Sequence, residues 1–251
     1  MLSPAIVRWL AWGITTVGAM MKRARLNSDL SRLRRETDMF LATVESLSDE
    51  EMVGPTLCEG WDRAHVIAHL ASSARALVKL IDWATTGEPQ QPYESHEARE
   101  QEIDELAALP KDELIETFKQ NAQFFAEQCE RLTGDIVTEE LDLHGKPVPA
   151  TSVPAVRIAE VVVHHHDLDT TWTVEEADPD SLLNAVEAAV RTMRAKGAPG
   201  MTLRTEERDE WIIGDGGQLI TSDREGMLRW LARGDDEFVE SEGALPELPA
   251  W

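Results

Sequence analysis

The clearest structural signal in the sequence lies in residues 59–83, EGWDRAHVIAHLASSARALVKLIDW. Asp62 can cap a helix through its carboxylate, and the apolar residues that follow it recur at helical spacing. These apolar residues are Val66, Ile67, Leu70, Leu77 and Leu80. The pattern predicts an amphipathic helix from Asp62 to about Trp83, which must bury one face against other helices. This helix carries His65 and His69, one helical turn apart.

Three further segments have the same periodicity and supply partners for this helix. Apolar residues favour one face at about 26–48, 110–132 and 154–168. An acidic segment, 95–109, also has a helical pattern, but its charge indicates a solvated face. The connection over 135–153 contains one glycine and two prolines, with Pro154 just beyond, so we expect a long connection there. The sequence therefore predicts an antiparallel four-helix bundle.

The sequence changes character after Asp178-Pro179-Asp180, where shorter segments replace the long helices. We predict a helix over Ser181–Lys196, then strands separated by polar turns, and a last helix over Arg224–Arg233. The predicted strands are Met201–Arg204, Glu210–Ile213 and Gln218–Ile220. We therefore expect an α+β protein with a bundle domain at 25–176 and a small α/β domain at 177–251.

The chain of 251 residues carries a formal net charge of −23 at pH 7. This charge disfavours nucleic acid and anionic membranes as partners, because both are bound through lysine and arginine. Residues 1–25 differ, since they hold four basic residues and no acid, which leaves −27 on the other 226. We interpret residues 1–24 as an N-terminal extension. Three interpretations compete: a weak membrane tether, an arm that packs on the body, or a stretch added upstream by a misplaced start codon. We favour the misplaced start codon, with Met20 or Met21 as the true first residue.

The chain has two cysteines, Cys58 and Cys129, which lie far apart and form no CxxC pattern. This spacing excludes a disulfide framework and a cysteine-built metal site, and it favours a reducing, cytoplasmic location. Cys58 precedes a predicted helix start, where a thiol can be activated. A small, partly buried residue is the simpler interpretation of Cys58.

Residue types that bind metals occur one turn apart on two of the predicted bundle helices. The helix after Asp62 carries His65-x-x-x-His69, and the last bundle helix carries Glu160-x-x-x-His164. Residues at i and i+4 lie on one side of a helix, so two such pairs on facing helices can enclose a divalent ion. Two histidines and one glutamate leave a fourth tetrahedral position open, which is typical of catalytic zinc. Nickel, manganese and iron accept the same ligand types.

Periodicity favours His69 over His65 as a ligand, because His69 lies near the apolar stripe and His65 near the helix start. We therefore expect His69, Glu160 and His164 to bind the metal. Asp167 lies three residues after His164 and can accept its second ring N–H, which would fix the tautomer of the ring.

Around these residues the sequence resembles the mycothiol-dependent maleylpyruvate isomerase family. Residues 59–69 are similar to the family's Gly-Trp-x-x-x-x-x-x-x-His signature. The other matching segments follow in order: Asp82–Glu88, Glu97-Ala98-Arg99, Val148-Pro149-Ala150, Glu160-x-x-x-His164-x-x-Asp167-Leu168 and Pro246-Glu247-Leu248-Pro249. The likeness covers about residues 25–251 and includes segments outside the predicted metal site.

The resemblance implies a fold and a set of site residues. It implies a DinB-like four-helix bundle that holds zinc through His69, Glu160 and His164. It also implies a C-terminal domain similar to sterol-carrier-protein folds. The family's functional arginine falls on Arg233, with Arg229 as the alternative.

The resemblance further implies cis–trans isomerisation of maleylpyruvate, a dicarboxylate, to fumarylpyruvate in gentisate-type aromatic degradation, with mycothiol as thiol cofactor. A thiol-dependent route suits a chain with no well-placed cysteine of its own. The alternatives are a mycothiol S-transferase and a non-catalytic bundle protein that binds a metal or a ligand. The histidine run 164–166 departs from the family, where its third position is often aliphatic, so His65 and His166 stay open as further ligands.

Overall fold

The first half of the fold is built from long helices. The computed structural model describes residues 4–143 and 146–250, and the side chains of residues 20–143 and 147–250. The helices of this half are α1 (Pro4–Ser46), α2 (Asp49–Met52), α3 (Arg63–Thr86), α4 (His96–Ala107), α5 (Lys111–Cys129) and α6 (Val153–Asp167). The four principal helices predicted from periodicity correspond to α1, α3, α5 and α6, and the acidic helix is α4.

Capping residues set the ends of α3, which carries the first predicted ligand. The carboxylate of Asp62 accepts a hydrogen bond from the backbone N–H of His65 at 3.0 Å, so the predicted start is confirmed. Gly87 follows the helix in the left-handed conformation, with φ 81°, which glycine adopts without steric cost. The helix therefore continues three residues beyond the predicted end at Trp83.

Helix α1 begins much earlier than its periodicity predicts. The expected start is near residue 26, whereas the helix runs without a break from Pro4. No proline interrupts the sequence between Pro4 and Pro55, and a glycine inside a helix costs only about 1 kcal/mol. The three interpretations of the N-terminal extension depend on residues 1–3 and on the side chains of 4–19, which lie outside the described residues. Within the described chain, no helix has the length and apolar character needed to cross a bilayer.

The connection between α5 and α6 contains a β-hairpin that the sequence pattern did not predict. Its strands, β1 (Glu140–Leu143) and β2 (Lys146–Pro149), pair antiparallel. Leu141 lies opposite Val148, and both side chains are buried. The prolines of β2 hide the strand pattern, and they are tolerated because each strand of a two-stranded sheet is an edge.

The second half combines two helices with a small sheet. Its elements are α7 (Pro179–Ala195), β3 (Met201–Thr205), β4 (Glu210–Ile213), β5 (Gln218–Ser222), α8 (Arg224–Arg233) and β6 (Glu240–Ser241). The strand order is β4-β3-β5-β6, in which β3 and β5 are parallel and the other pairs are antiparallel. The three predicted strands are present, and the two-residue strand β6 was missed. The expected α+β class is confirmed.

Helix α6 connects the two halves, because α1 and α3 pack against it from the bundle and α7 packs against it from the C-terminal half. A continuous set of buried apolar residues extends from Leu26 on α1 to Ala232 on α8. Phe40 and Phe118 lie inside the bundle with ring centroids 5.0 Å apart. The two halves therefore share one hydrophobic core, and α6 presents its C-terminal turns where they meet.

Candidate active site

A cavity of about 960 Å³ opens between the bundle and the C-terminal half. Residues of α3, α4 and α6 form its bundle wall, and residues of α7, α8 and the C-terminal segment form the opposite wall. Four of the residues predicted from sequence line this cavity: His69, Glu160, His164 and Arg233. Four do not belong to its lining: His65, His166, Arg229 and Asp167, the predicted partner of His164.

His69 and His164 lie side by side on the bundle wall. Their ring centroids are 4.6 Å apart, and the two rings are nearly perpendicular. His69 is 7% exposed, and burial, with a further contribution from His164, holds its pKa well below the usual range. The ring is therefore neutral, which is the form that binds a metal ion. His65 instead contacts Asp62 at the helix start, with 2.7 Å between Nδ1 and Oδ1.

Glu160 lies one helical turn before His164, and hydrogen bonds fix one of its carboxylate oxygens. Oε2 accepts from Ser73 Oγ at 3.0 Å and from Arg157 Nη1 at 3.3 Å. Arg157 is buried and also donates to the carbonyl oxygen of Leu70 at 2.7 Å. These bonds tie α3 to α6 directly beside the two histidines.

Asp167 contacts His164, as their spacing predicts. Asp167 Oδ2 lies 2.8 Å from His164 Nδ1, and Oδ1 accepts from Arg233 Nε at 2.6 Å, while Arg233 Nη2 also donates to Oδ2. Burial alone would raise the pKa of Asp167, but the hydrogen bonds from His164 and Arg233 outweigh it and hold the pKa below the usual range. The ionised Asp167 is placed to accept an Nδ1–H from His164, which would direct Nε2 of that ring toward a metal ion.

A second group of potential ligands lies next to this contact. In the described part of the chain, Cys58, His164 and Asp167 are the side chains whose ligand atoms all lie within 4.8 Å of one another. Hydrogen bonds explain their proximity, since the Cys58 thiol donates to Asp167 Oδ2 at 3.3 Å. Burial and then the charge of Asp167 raise the pKa of Cys58 to about 12, so the thiol is protonated.

The ligand atoms of His69, Glu160 and His164 do not all lie within 4.8 Å of one another, as those of the Cys58 group do, but their chemistry suits a divalent metal ion better. This donor set offers imidazole nitrogens and a carboxylate, which suit zinc, and it lies on two helices that pack together. A metal bound at the Cys58 group would require the thiol to lose its proton and Asp167 to give up hydrogen bonds. In the sequence, the two cysteines lie far apart without a CxxC pattern, which argues against Cys58 as a ligand, and its contact with Asp167 forms only in the folded chain.

The histidine run 164–166 divides into three environments. His165 is a core residue, with Nε2 2.7 Å from Thr43 Oγ1 on α1 and its ring stacked on Trp172 at 3.8 Å between centroids. Burial lowers the pKa of His165 to about 3, so this ring is neutral. His166 is absent from the cavity lining, and burial lowers its pKa as well. Within the described structure, His164 is therefore the residue of this run that reaches the cavity.

Arg99 on α4 is a cavity residue that the site prediction missed. Its Nη2 lies 3.2 Å from His69 Nδ1, and its Cζ lies 5.7 Å from the centre of the Trp61 ring. Arg99 belongs to a segment that matched the family pattern, which is the signal that could have identified it. Ser73 and Arg157 lie one helical turn from the predicted ligands of their own helices, and this spacing was the available signal for them.

Comparisons with known proteins agree on one family. The family profile described as "Mycothiol maleylpyruvate isomerase N-terminal domain" matches residues 33–169. The crystal structure of the mycothiol-dependent maleylpyruvate isomerase is similar, with a TM-score of 0.79 and 28% sequence identity over 90% of this chain and 97% of that chain. The structure of an alanine-for-histidine mutant of that enzyme gives a TM-score of 0.79 and 27% identity, again over 90% of this chain and 97% of that chain. No curated protein matches the chain significantly.

Proposed function

The chain belongs to the mycothiol-dependent maleylpyruvate isomerase family, and we propose that it converts maleylpyruvate to fumarylpyruvate with mycothiol and a divalent metal ion. The observation that carries the proposal is the shared cavity, whose lining includes the predicted ligands of α3 and α6 together with Arg233 of α8. Family membership supports the general activity. The specific reaction is the proposed part, because the similar enzyme is 28% identical.

His69, Glu160 and His164 are the residues that would hold the metal, and zinc is the ion we propose. When bound with an open coordination position, zinc acts as a Lewis acid and lowers the pKa of a thiol from its usual value of about 8.5. His69 is neutral before any metal binds, so it loses no proton in binding one. The contact with Asp167 would favour the tautomer of His164 that offers Nε2 to the metal.

Cys58 supports the use of a borrowed thiol. Isomerisation by this route needs addition of a thiolate to the conjugated double bond, rotation about the bond made single, and elimination of the thiolate. Cys58 is poorly suited to this role, because its pKa is raised to about 12 and its thiol hydrogen is donated to Asp167. A small-molecule thiol meets the need that the chain's own thiol does not.

Positive charge inside the cavity offsets the negative charge of the whole molecule. With a formal charge of −23, the protein repels a dicarboxylate at long range. Arg99 on the bundle wall and Arg233 on the opposite wall place guanidinium groups on the cavity lining. Guanidinium groups bind carboxylates strongly, but Arg233 already donates to Asp167 and to the carbonyl oxygen of Ala232, so a substrate carboxylate would have to share or exchange these contacts. We propose Arg233 as the anchor of one substrate carboxylate.

The two histidines of α3 give a matched pair of variants for testing this proposal. We expect His69→Ala to lose bound metal and mycothiol-dependent turnover, because it removes a ligand from the cavity. His65→Ala should keep both, because His65 lies outside the cavity lining. Metal analysis and the ultraviolet loss of maleylpyruvate measure the two properties. Full metal occupancy in His69→Ala would contradict the ligand assignment.

The same assay separates the isomerase from its alternatives. An isomerase regenerates mycothiol in each turnover, whereas a mycothiol S-transferase consumes one thiol for each product formed. Free thiol measured during turnover therefore distinguishes the two enzymes. A metal-loaded chain that shows no turnover with any thiol would favour a binding protein.

A further inference from the structure

Glu160 is held by a chain of hydrogen bonds that starts from a buried cation. Arg157 Nη1 donates to Ser73 Oγ at 2.5 Å, and Ser73 Oγ donates to Glu160 Oε2 at 3.0 Å. Arg157 Nη1 also lies 3.3 Å from the same Oε2. We propose that Ser73 and Arg157 are positioning residues that make Glu160 a metal ligand through its other oxygen alone. This inference deepens the proposed function and rests on it only through the metal site.

The two oxygens of Glu160 have different environments. Oε2 receives both donors, whereas no hydrogen bond to Oε1 occurs among the residues that the structure describes. Glu160 lines the cavity, so its carboxylate is accessible from that side. A carboxylate that keeps both bonds at Oε2 offers a metal ion Oε1 alone. One-oxygen binding leaves more of the coordination sphere open for a thiol or a substrate.

Arg157 fixes the relative position of two ligands on different helices. Its side chain is 1% exposed, and a buried guanidinium is costly unless its N–H groups are paired. Arg157 Nη2 donates to the carbonyl oxygen of Leu70 at 2.7 Å, and Leu70 directly follows His69 on α3. Arg157 thus ties the backbone beside one ligand to the carboxylate of another. Outer contacts of this kind orient the ligands that touch the metal.

Two adjacent serines on α3 provide the test and its control. Ser73 and Ser72 are both buried, at 4% and 1% exposed, but Ser72 Oγ contacts Glu102 and Tyr93 instead of Glu160. We expect Ser73→Ala to lower the affinity for Zn²⁺, measured by chelator competition, by about 10- to 100-fold. Ser72→Ala should leave this affinity unchanged. Equal losses in the two variants would overturn the proposal.

A double-mutant cycle checks that Ser73 acts through Glu160. Ser73→Ala should cause no further loss of Zn²⁺ affinity when Glu160→Ala is already present. The same loss in both backgrounds would overturn the proposal. Arg157→Lys keeps the positive charge but not the paired donation to Ser73 and Leu70, and we expect it to weaken Zn²⁺ binding as well. Wild-type affinity in Arg157→Lys would contradict the role of its guanidinium.

The visible absorption of the Co²⁺-loaded protein adds a readout that a purely structural role would not move. We expect Ser73→Ala to shift the Co²⁺ bands and Ser72→Ala to leave them as in the wild type. None of these measurements requires turnover. If Ser73→Ala weakens metal binding in a chain that does not isomerise maleylpyruvate, the positioning role stands and the proposed reaction fails. A wild-type chain that binds neither metal would overturn the inference.

Discussion

Arg233 and Arg229 lie one helical turn apart on α8, but they form ion pairs with different acidic residues in different places. Arg229 donates to Asp235 at 2.6 Å and lies 3.4 Å from Glu225, away from the cavity. Arg233 lines the cavity and contacts Asp167, which in turn holds His164. The sequence placed both arginines on the last helix. It could not choose between them, because the choice depends on contacts made across the two halves.

Removing each arginine in turn tests which one holds the substrate. We expect Arg233→Gln to raise KM for maleylpyruvate by about 10- to 100-fold, since a hydrogen bond to a charged group contributes about 1.5–3 kcal/mol. Arg229→Gln should keep a KM near that of the wild type. Steady-state kinetics of the two variants measure the two KM values and show which arginine binds the substrate. An unchanged KM in Arg233→Gln would reject the anchor.

The proposed metal ligands follow from a local sequence pattern, whereas Ser73 and Arg157, which contact Glu160, were not predicted. His69 stands out from His65 because its sequence neighbours are apolar, and the structure buries it. Arg157 lies one helical turn before Glu160, but this spacing is a weak signal, since a charged residue is normally placed on a solvated face. Its burial follows from partners on α3, which lie about 85 positions away in the sequence and meet it only after folding.

At the scale of elements, caps and apolar periodicity predicted most boundaries. Asp62 begins α3, and α8 has the predicted bounds, because these signals are local. The hairpin of β1 and β2 was missed, since its prolines suppress the strand pattern. The early start of α1 was missed because its first turns do not follow the apolar spacing used to find it. Local patterns therefore predicted the helices that position the site, and missed the short edge strands.

Glu36 on α1 links this helix to the start of α7. Its side chain is 1% exposed, and Oε1 accepts from the backbone N–H of Asp178, the residue that caps α7, at 2.9 Å. Burial raises the pKa of Glu36, although the hydrogen bond from Asp178 opposes this. The folded protein therefore favours the protonated carboxyl. The contribution to stability is fully present below the unfolded pKa and is lost as the pH rises through the folded pKa.

Glu36→Gln should therefore stabilise the protein at pH 7 and have little effect at pH 4. The amide oxygen can still accept from Asp178, and the amide does not ionise. Thermal unfolding at the two pH values measures the difference in Tm. Asp38→Asn is the control, because it removes an exposed acid from the same helix. A lower Tm for Glu36→Gln at pH 7 would contradict this account of the α1–α7 contact.

At the scale of the whole molecule, the charge is distributed unevenly along the chain. Four basic residues lie in the first 25, and the acidic excess belongs to the remaining 226. The cavity is an exception within that acidic part, since Arg99 and Arg233 both line it. Because the cavity is built from both halves and these share one core, we expect its function to need the complete body of the chain.

The central claim is that this cavity isomerises maleylpyruvate with a thiol that the protein does not itself provide. The most direct measurement is the ultraviolet loss of maleylpyruvate by the metal-loaded protein with mycothiol, with glutathione and with no thiol. We predict rapid loss with mycothiol, formation of fumarylpyruvate, and no turnover without a thiol. Turnover in the absence of any thiol, or none with mycothiol, would contradict the claim.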